Sequence, residues 1–327
     1  MKPLDSKESP ALSIAALCQV YDVTHVERAL NENAASRNEA LKAWYEKMYG
    51  LGGDRYLIKP TRQDVLDPLY DLAPNFKNII DDLKKYVALA LAGDESLQFT
   101  PILLLGDPGV GKTHFARELA HCLGTGFEFI TMSSLTAGWI LSGTSSQWQN
   151  AKPGKVASTL VQGDYANPIV VLDEIDKSGG DHRYDPMGAL YSLLEEETAR
   201  RFRDEYLEVD MDTSHTLWVA TANDISSLPA PILNRMNVYQ VERPDEAASR
   251  IIAQSVYKNL LQQHRWPFPE ILEECVLVKL LKAPPRDMKK LLLDGLGNAR
   301  LTGRDHLLPE DIDLARTQGY QKARIGF

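Results

Sequence analysis

The chain has 327 residues, of which 44% are hydrophobic and 25% charged, so it is long enough for two globular domains with separate cores. Its formal net charge of −9 excludes a general attraction for nucleic-acid phosphates or anionic membranes, but leaves room for a local basic groove. Three widely separated cysteines without a CxxC pair predict neither a disulfide framework nor a zinc site, and a reducing cytoplasm suits them best. The amino-terminal apolar run is too short for a secretion signal, and the longest uncharged stretch, residues 129–151, is too polar for a membrane span.

The first part of the chain is predicted to be a helical attachment. Apolar residues recur with helical spacing from Val23 to about Tyr49, and a glycine-rich run at 50–53 stops the pattern. A short extended segment, "RYLIKP", and turn-rich residues follow before "FKNIIDDLKKYVALALA" begins the next helix. We therefore assign residues 1–73 to a helical segment of unknown role.

Short apolar runs alternate with helical stretches between Pro101 and about Pro244. Four of these runs are typical of buried strands, namely "PILLLG", "FEFITM", "PIVVLDE" and "TLWVATAND". The helices between them predict an α/β fold with a parallel sheet covered on both faces. Beyond Pro244 the spacing is helical throughout. The predicted organisation is thus an α/β domain over residues 74–243 and a small helical domain over residues 244–327.

The most specific motif is "GDPGVGKT", which satisfies G-x-x-x-x-G-K-[ST] between the apolar run "PILLL" and the helix "THFARELAHCL". Its glycines allow a tight backbone path that turns N–H groups toward phosphates, and the following helix adds the positive end of its dipole. Lys112 is expected to reach the β- and γ-phosphate oxygens of ATP, and Thr113 to ligate Mg²⁺. A glycine-rich turn that binds nothing is the alternative. The predicted phosphate-binding residues are Gly106, Asp107, Pro108, Gly109, Val110, Gly111, Lys112 and Thr113.

Polar side chains follow two further predicted strands. Asp173 and Glu174 end the run "PIVVLDE", where ligands of parallel sheets bind. We expect Asp173 to hold Mg²⁺, directly or through water, and Glu174 to orient and polarise the attacking water. Asn223 ends the run "TLWVATAND", and its amide could place the same water or touch the γ-phosphate. A solvated turn is the alternative for the acids, and a turn cap for the asparagine.

Two arginines follow in chain order, Arg235 within "LPAPILNRMNVYQVERP" and Arg286 within "APPRDMKK". With these, the series resembles the AAA+ ATPases, and most of all the ATPase module of Lon-type proteases. The resemblance covers about Asn75 to the carboxyl terminus and includes the stretches "KPGKVASTLV" and "NPIVVLDEIDKSGGDHRYDPMGALYSLLEEE". It implies that Arg235 is an arginine finger entering a neighbouring subunit's site, that Arg286 is the sensor arginine of a helical lid, and that Asn223 is the polar sensor.

The resemblance also implies a hexameric ring that pulls polypeptides through a central pore. The pulling loop of Lon-type rings carries an aromatic and an aliphatic residue before the "PGK" helix, and the aromatic position falls on Trp148. Gln149 stands where an aliphatic residue is usual, so the match is partial. A buried anchor of its loop is the alternative for Trp148, because an exposed indole is costly. A second pore loop is expected at His182, Arg183 and Tyr184.

The ends of the chain depart from the Lon pattern. Lon-type proteases continue into a serine-lysine peptidase domain and have a long substrate-recruiting amino-terminal region, and neither has a counterpart in this sequence. We therefore expect an ATP-driven remodeller of proteins without proteolytic activity, in the cytoplasm and without a membrane partner. Two alternatives remain open, which are an AAA+ ATPase that acts on nucleic acid and an ATP-dependent scaffold that recruits a separately encoded effector.

Overall fold

The computed structural model describes residues 12–33, 38–132, 139–148, 150–177 and 187–314. Within them the strands are β1 Leu12–Gln19, β2 Asp54–Pro60, β3 Ile102–Leu105, β4 Phe127–Thr131, β5 Ile169–Asp173, β6 Phe202–Arg203, β7 Asp210–Met211, β8 Leu217–Ala222 and β9 Asn237–Gln240. The helices are α1 Val23–Glu32, α2 Glu39–Leu51, α3 Pro68–Leu72, α4 Lys77–Ala92, α5 Lys112–Leu123, α6 Trp139–Ser142, α7 Lys155–Gln162, α8 Leu190–Leu193, α9 Glu196–Ala199, α10 Ala230–Leu233, α11 Glu246–His264, α12 Glu274–Leu280 and α13 Pro285–Leu301.

The chain divides into two compact units. The first takes in residues up to 66, residues 81–105 and residues 119–240, and the second takes in residues 67–80, residues 106–118 and the chain from 241 onward. No helix among the described residues combines the length and the apolar character needed to span a bilayer.

The first unit is built on a five-stranded parallel sheet with the order β4-β5-β8-β3-β9. The predicted α/β fold and its four predicted strands are confirmed. β3, β5 and β8 are almost wholly buried, as expected for strands covered on both faces, whereas Ile130 is the one buried residue of the edge strand β4. The fifth strand, β9, was not predicted. Its sequence NVYQ alternates half-buried and exposed residues at the edge of the sheet, which is a weak sequence pattern. Pairing with β3 therefore defines this strand.

The amino-terminal residues contain β structure as well as helices. The extended segment predicted at "RYLIKP" is confirmed as β2, which pairs antiparallel with β1. The sequence of β1, LSIAALCQ, lacks polar-apolar alternation, so its pattern did not indicate a strand. Buried Arg55 of β2 donates hydrogen bonds to the carbonyls of Leu160 (2.8 Å) and Val161 (2.7 Å) in α7. The Tyr45 hydroxyl donates to Leu207 O at 2.9 Å, so the amino-terminal residues are part of the same packed core as the sheet.

The second unit has a helical core made by α11, α12 and α13. Leu260, Val276 and Leu292, from these three helices in order, are all at most 2% exposed. Helical spacing in the sequence predicted this part correctly, because each helix buries one apolar face in a shared core.

Candidate nucleotide site and aromatic loop

The loop at residues 106–111 follows a path that only glycine can take at three positions. Gly109 and Gly111 have φ values of 87° and 102°, which are strained for any residue with a Cβ atom. A Cβ at Gly106 would lie 2.3 Å from Val241 O. The loop leads directly into α5, whose first turn begins at Lys112. This backbone fits a phosphate group, because it combines tight turns with a helix amino terminus.

Lys112 is held inside this loop. Its ammonium donates hydrogen bonds to Gly106 O at 2.6 Å and Asp107 O at 3.0 Å, and the residue is 8% exposed. Asn75, which the sequence did not single out, donates from Nδ2 to Val110 O at 3.1 Å and to Glu242 O at 3.1 Å. The amide of Asn75 thus ties the phosphate loop to the chain that enters the helical domain.

Arg286 lies beside the phosphate loop within the second unit. Its Cδ atom would be 3.4 Å from a Cβ built on Gly109. The arginine is exposed at the start of α13, and its contact within 4 Å of the carboxylate of Asp287 is a weak, solvated ion pair. The sensor role implied for Arg286 stays a prediction, and the position next to Gly109 is compatible with it.

The acids after β5 are organised by a threonine from β8. Thr221 Oγ1 donates to Asp173 Oδ1 at 2.8 Å and accepts from the backbone N–H of Glu174 at 2.9 Å. Thr221 is 1% exposed, so this link is shielded from water. Thr221 was not predicted from the sequence, although it precedes the predicted sensor Asn223 by two residues. One buried hydroxyl therefore holds both acidic residues in place.

Glu174 has a φ of 55°, an uncommon conformation for a residue other than glycine. Such strain is found at functional sites, where the surrounding structure holds it. Its carboxylate contacts the ammonium of Lys177, a hydrogen bond that raises the pKa of that lysine. Asp176 Oδ2 accepts from the backbone N–H of Asn223 at 3.0 Å, so the end of β8 is aligned with the turn after β5. Like Thr221, Asp176 was not predicted from the sequence.

Arg235 is engaged within its own chain. Its Nε donates to Glu195 Oε2 at 2.8 Å, and its Nη1 donates to Pro231 O at 2.9 Å. The side chain of Arg235 is 28% exposed and that of Glu195 is 47% exposed. An ion pair this exposed contributes about 0–1 kcal/mol to stability. Little free energy is therefore lost when Arg235 leaves Glu195 and pairs with another anion.

Trp148 is 49% exposed and packs edge-to-face against Trp139, with ring centroids 5.8 Å apart and planes at 80°. The alternative of a buried anchor is therefore wrong. The two indoles line an open cavity of about 770 Å³ together with Glu197, Arg201 and other residues. Two large apolar rings beside charges of both signs suit contact with varied peptide side chains. Gln149 and the expected second pore loop, His182, Arg183 and Tyr184, lie outside the described residues.

The base of the Trp148 loop is closed by hydrogen bonds around a buried carboxylate. Thr144 N donates to Lys152 O at 3.1 Å, and Gly154 N donates to Asp204 Oδ2 at 2.7 Å. Asp204 is 0% exposed, and its Oδ1 also accepts from two backbone N–H groups at 3.0 Å. A Cβ at Gly143 would lie 2.7 Å from Asp204 Oδ1. The loop is thus pinned at its base while Trp148 stays exposed.

Asp204 is expected to make stability depend on pH. Burial raises the pKa of its carboxyl to about 6, above the ordinary 3.8, and three backbone N–H donors only partly offset this. The folded chain therefore binds this proton more tightly than the unfolded chain, and the stability that the bound proton contributes is lost as pH rises from about 4 through about 6.

Asp204→Asn removes this titration. We therefore expect the difference in unfolding free energy between variant and wild type to move by up to about 3 kcal/mol in favour of the variant from pH 4 to pH 7. Denaturant unfolding at several pH values measures the difference, with Glu205→Gln as the matched control; parallel curves for Asp204→Asn and wild type would contradict it.

The fold and these residues define a class. A phosphate loop follows β3, acidic residues follow β5, and both strands run parallel in one sheet, which is the arrangement of a P-loop ATPase. Residues 102–243 match the model of the ATPase family associated with various cellular activities (AAA). Residues 102–243 therefore form a domain of the AAA ATPase type.

Individual relatives agree with this assignment. The chain is 34% identical over 295 residues to the Lon protease of Wolbachia pipientis subsp. Culex pipiens, a match that covers 81% of this chain and 36% of that protein. It is 36% identical over 203 residues to the Lon protease of Porphyromonas gingivalis, covering 60% of this chain and 23% of that protein. The chain therefore spans little more than a third of the length of the first relative and less than a quarter of the length of the second. A cryo-EM reconstruction of Hsp104 with ATPγS and FITC-casein shares the fold, with a TM-score of 0.59 and 16% identity over 76% of this chain and 52% of that chain.

Proposed function

We propose that the chain is a ring-forming AAA+ motor that uses ATP hydrolysis to remodel or unfold protein substrates through a central pore. The observation that carries the proposal is exposed Trp148, which packs against Trp139 and lies on a loop whose base is pinned by buried Asp204. A motor needs such a combination, because a grip must reach the substrate while its base transmits movement. The proposed activity does not include peptide hydrolysis by this chain. Cleavage of the remodelled substrate by the purified protein would contradict this point.

The nucleotide roles predicted from the motifs support this function. The backbone of residues 106–111 and Lys112 would hold the phosphates, and Thr113 and Asp173 would hold Mg²⁺. When bound, Mg²⁺ would neutralise part of the negative charge of the phosphates. Glu174 would accept a proton from the attacking water, and the backbone strain and the Thr221 hydrogen bond would keep its carboxylate positioned. Asn223 would complete the water or phosphate contacts.

The two arginines extend the proposal to an assembly. Arg286 would act from the helical lid beside Gly109 on the chain's own nucleotide, whereas Arg235 would act on the nucleotide of a neighbouring subunit. We propose a six-membered ring of identical chains. The division of the chain at residues 73/74 and 243/244 and the cytoplasmic location stay predictions.

Replacement of Trp148 by alanine tests the grip. We expect Trp148→Ala to keep ATP hydrolysis and to lose most unfolding of a fluorescent model substrate, because the indole supplies contact area to the polypeptide and takes no part in hydrolysis. Substrate fluorescence and phosphate release measure the two activities in one reaction. The matched control is Trp44→Ala, a partly buried tryptophan of α2 that packs against the core. Unchanged unfolding by the Trp148 variant would overturn the role of this loop.

The class of substrate can be read from a trapped complex. A Glu174→Gln protein should bind ATP without hydrolysing it and so retain its substrate when recovered from cells. A bound polypeptide supports the proposal. Bound nucleic acid that dissociates steeply with salt favours the nucleic-acid alternative, and one stoichiometric partner protein favours the scaffold alternative.

A further inference from the structure

In the first unit, Cys18 meets two residues that are far from it in sequence, Asp212 and His215. The Cys18 sulfur, a carboxylate oxygen of Asp212 and a ring nitrogen of His215 all lie within 4.8 Å of one another. Each of the three residues is half-buried. Cys18 belongs to β1, whereas Asp212 and His215 lie on the segment between β7 and β8. None of them belongs to the nucleotide motifs or to the Trp148 loop.

The backbone and ring positions of this cluster are held by contacts outside it. Asp212 N donates to Val20 O at 2.7 Å, which joins its segment to the end of β1. Between the two ligand positions, buried Thr213 donates from N and Oγ1 to Ala199 O at 2.9 and 3.0 Å. Gln98 Nε2 lies 2.7 Å from His215 Nδ1 and orients the imidazole. The backbone at Asp212 and the imidazole of His215 are therefore held in place.

The donor atoms of the cluster suit a bound cation. The thiolate of Cys18, a carboxylate oxygen of Asp212 and the neutral imidazole of His215 can each donate a lone pair to a metal ion. Sulfur, nitrogen and carboxylate oxygen together are the donor set that zinc accepts.

We propose that Cys18, Asp212 and His215 form a binding site for a divalent transition metal of the zinc type. Zinc binds such ligands at about 2.0–2.3 Å in tetrahedral geometry, so three protein ligands leave one position for water. Thiolate and imidazole ligands discriminate against Mg²⁺, which prefers oxygen. On binding, the thiol proton passes to solvent and sulfur bonds to the metal. The bound ion ties β1 to the segment before β8 and stabilises the amino-terminal strands on the sheet.

Cobalt substitution tests the site directly. The full chain is stripped with a chelator, reconstituted with Co²⁺ and desalted, and its metal content and absorption spectrum are measured. We expect one tightly bound ion per chain with a thiolate-to-cobalt charge-transfer band, resistant to excess Mg²⁺. Cys18→Ser, a near-isosteric change, should abolish the band, whereas Cys275→Ser at an exposed cysteine should leave it intact. A wild-type spectrum without the band, or a band that survives Cys18→Ser, overturns the proposal.

Two further variants separate ligation from folding. His215→Gln should lose the ion while keeping the far-UV circular dichroism of the wild type. Gln98→Ala should retain the ion with an affinity about 10- to 100-fold lower, since Gln98 orients the imidazole without ligating. Zn²⁺ should raise the Tm of the wild-type chain and leave that of Cys18→Ser unchanged. An equal rise in both would show adventitious binding elsewhere and would overturn the site.

Discussion

Replacement of Lys112 by alanine is expected to abolish ATP hydrolysis by removing nucleotide binding. Lys112 is 8% exposed and its ammonium donates to the carbonyls of Gly106 and Asp107, so its charge is held within the phosphate loop. Hydrogen bonds to charged groups contribute about 1.5–3 kcal/mol each, and loss of two such bonds to phosphate corresponds to at least about a 100-fold loss of affinity. Binding of a fluorescent ATP analogue and phosphate release measure the two effects.

The control for Lys112→Ala is Lys282→Ala, an exposed lysine of the same unit. A surface substitution of this kind changes stability by less than about 0.5 kcal/mol and should leave nucleotide binding unchanged. Unfolding measurements separate loss of charge from loss of fold, because Lys112 also bridges two carbonyls of its own loop. Wild-type affinity for the analogue in Lys112→Ala would contradict the assignment of the phosphate loop.

Arg235→Ala is expected to lower ATP hydrolysis by about 10³-fold while nucleotide binding is retained, because an arginine finger stabilises charge that develops in the transition state. In the single chain the guanidinium donates to Glu195, and this exposed pair is worth about 0–1 kcal/mol. Arg235 can therefore leave Glu195 and contact a neighbouring subunit with little loss of free energy. Glu195→Gln, which removes the negative charge that pairs with the guanidinium, is the matched variant and should hydrolyse ATP at the wild-type rate or faster.

Mixed assemblies show whether Arg235 acts between subunits. Arg235→Ala subunits have an intact phosphate loop, and Lys112→Ala subunits have an intact Arg235. A mixture of the two should recover part of the ATPase activity wherever an intact loop faces an intact arginine. A mixture no more active than its components would place the action of Arg235 within its own chain.

Much of the fold was predictable because its sequence patterns are local. Four strands of the central sheet are short apolar runs, and three of them, β3, β5 and β8, are buried on both faces. β9 and β1 were not predicted, since an edge strand with the sequence NVYQ and the alanine-containing run LSIAALCQ have no distinctive pattern. Pairing with β3 and with β2, respectively, makes them strands.

The residues of the candidate site were also predictable only in part. The nucleotide residues could be predicted from the sequence because a phosphate loop requires glycine conformations and a lysine within a few consecutive residues. Thr221 and Asp176 were missed, because their part in the site depends on hydrogen bonds between neighbouring strand ends. The exposure of Trp148 was equally undecided, since its alternatives differ only in what surrounds the indole.

By itself, the sequence determined the α/β fold, the phosphate loop and the acids after β5, because each depends on the conformation or burial of residues adjacent in the chain. The tertiary structure decided the rest. It placed Asp204 under the base of the Trp148 loop, Glu195 on Arg235, and Asp212 and His215 beside Cys18. These partners are separated by roughly 40 to 200 residues, and chain packing selects such contacts while local sequence leaves no record of them.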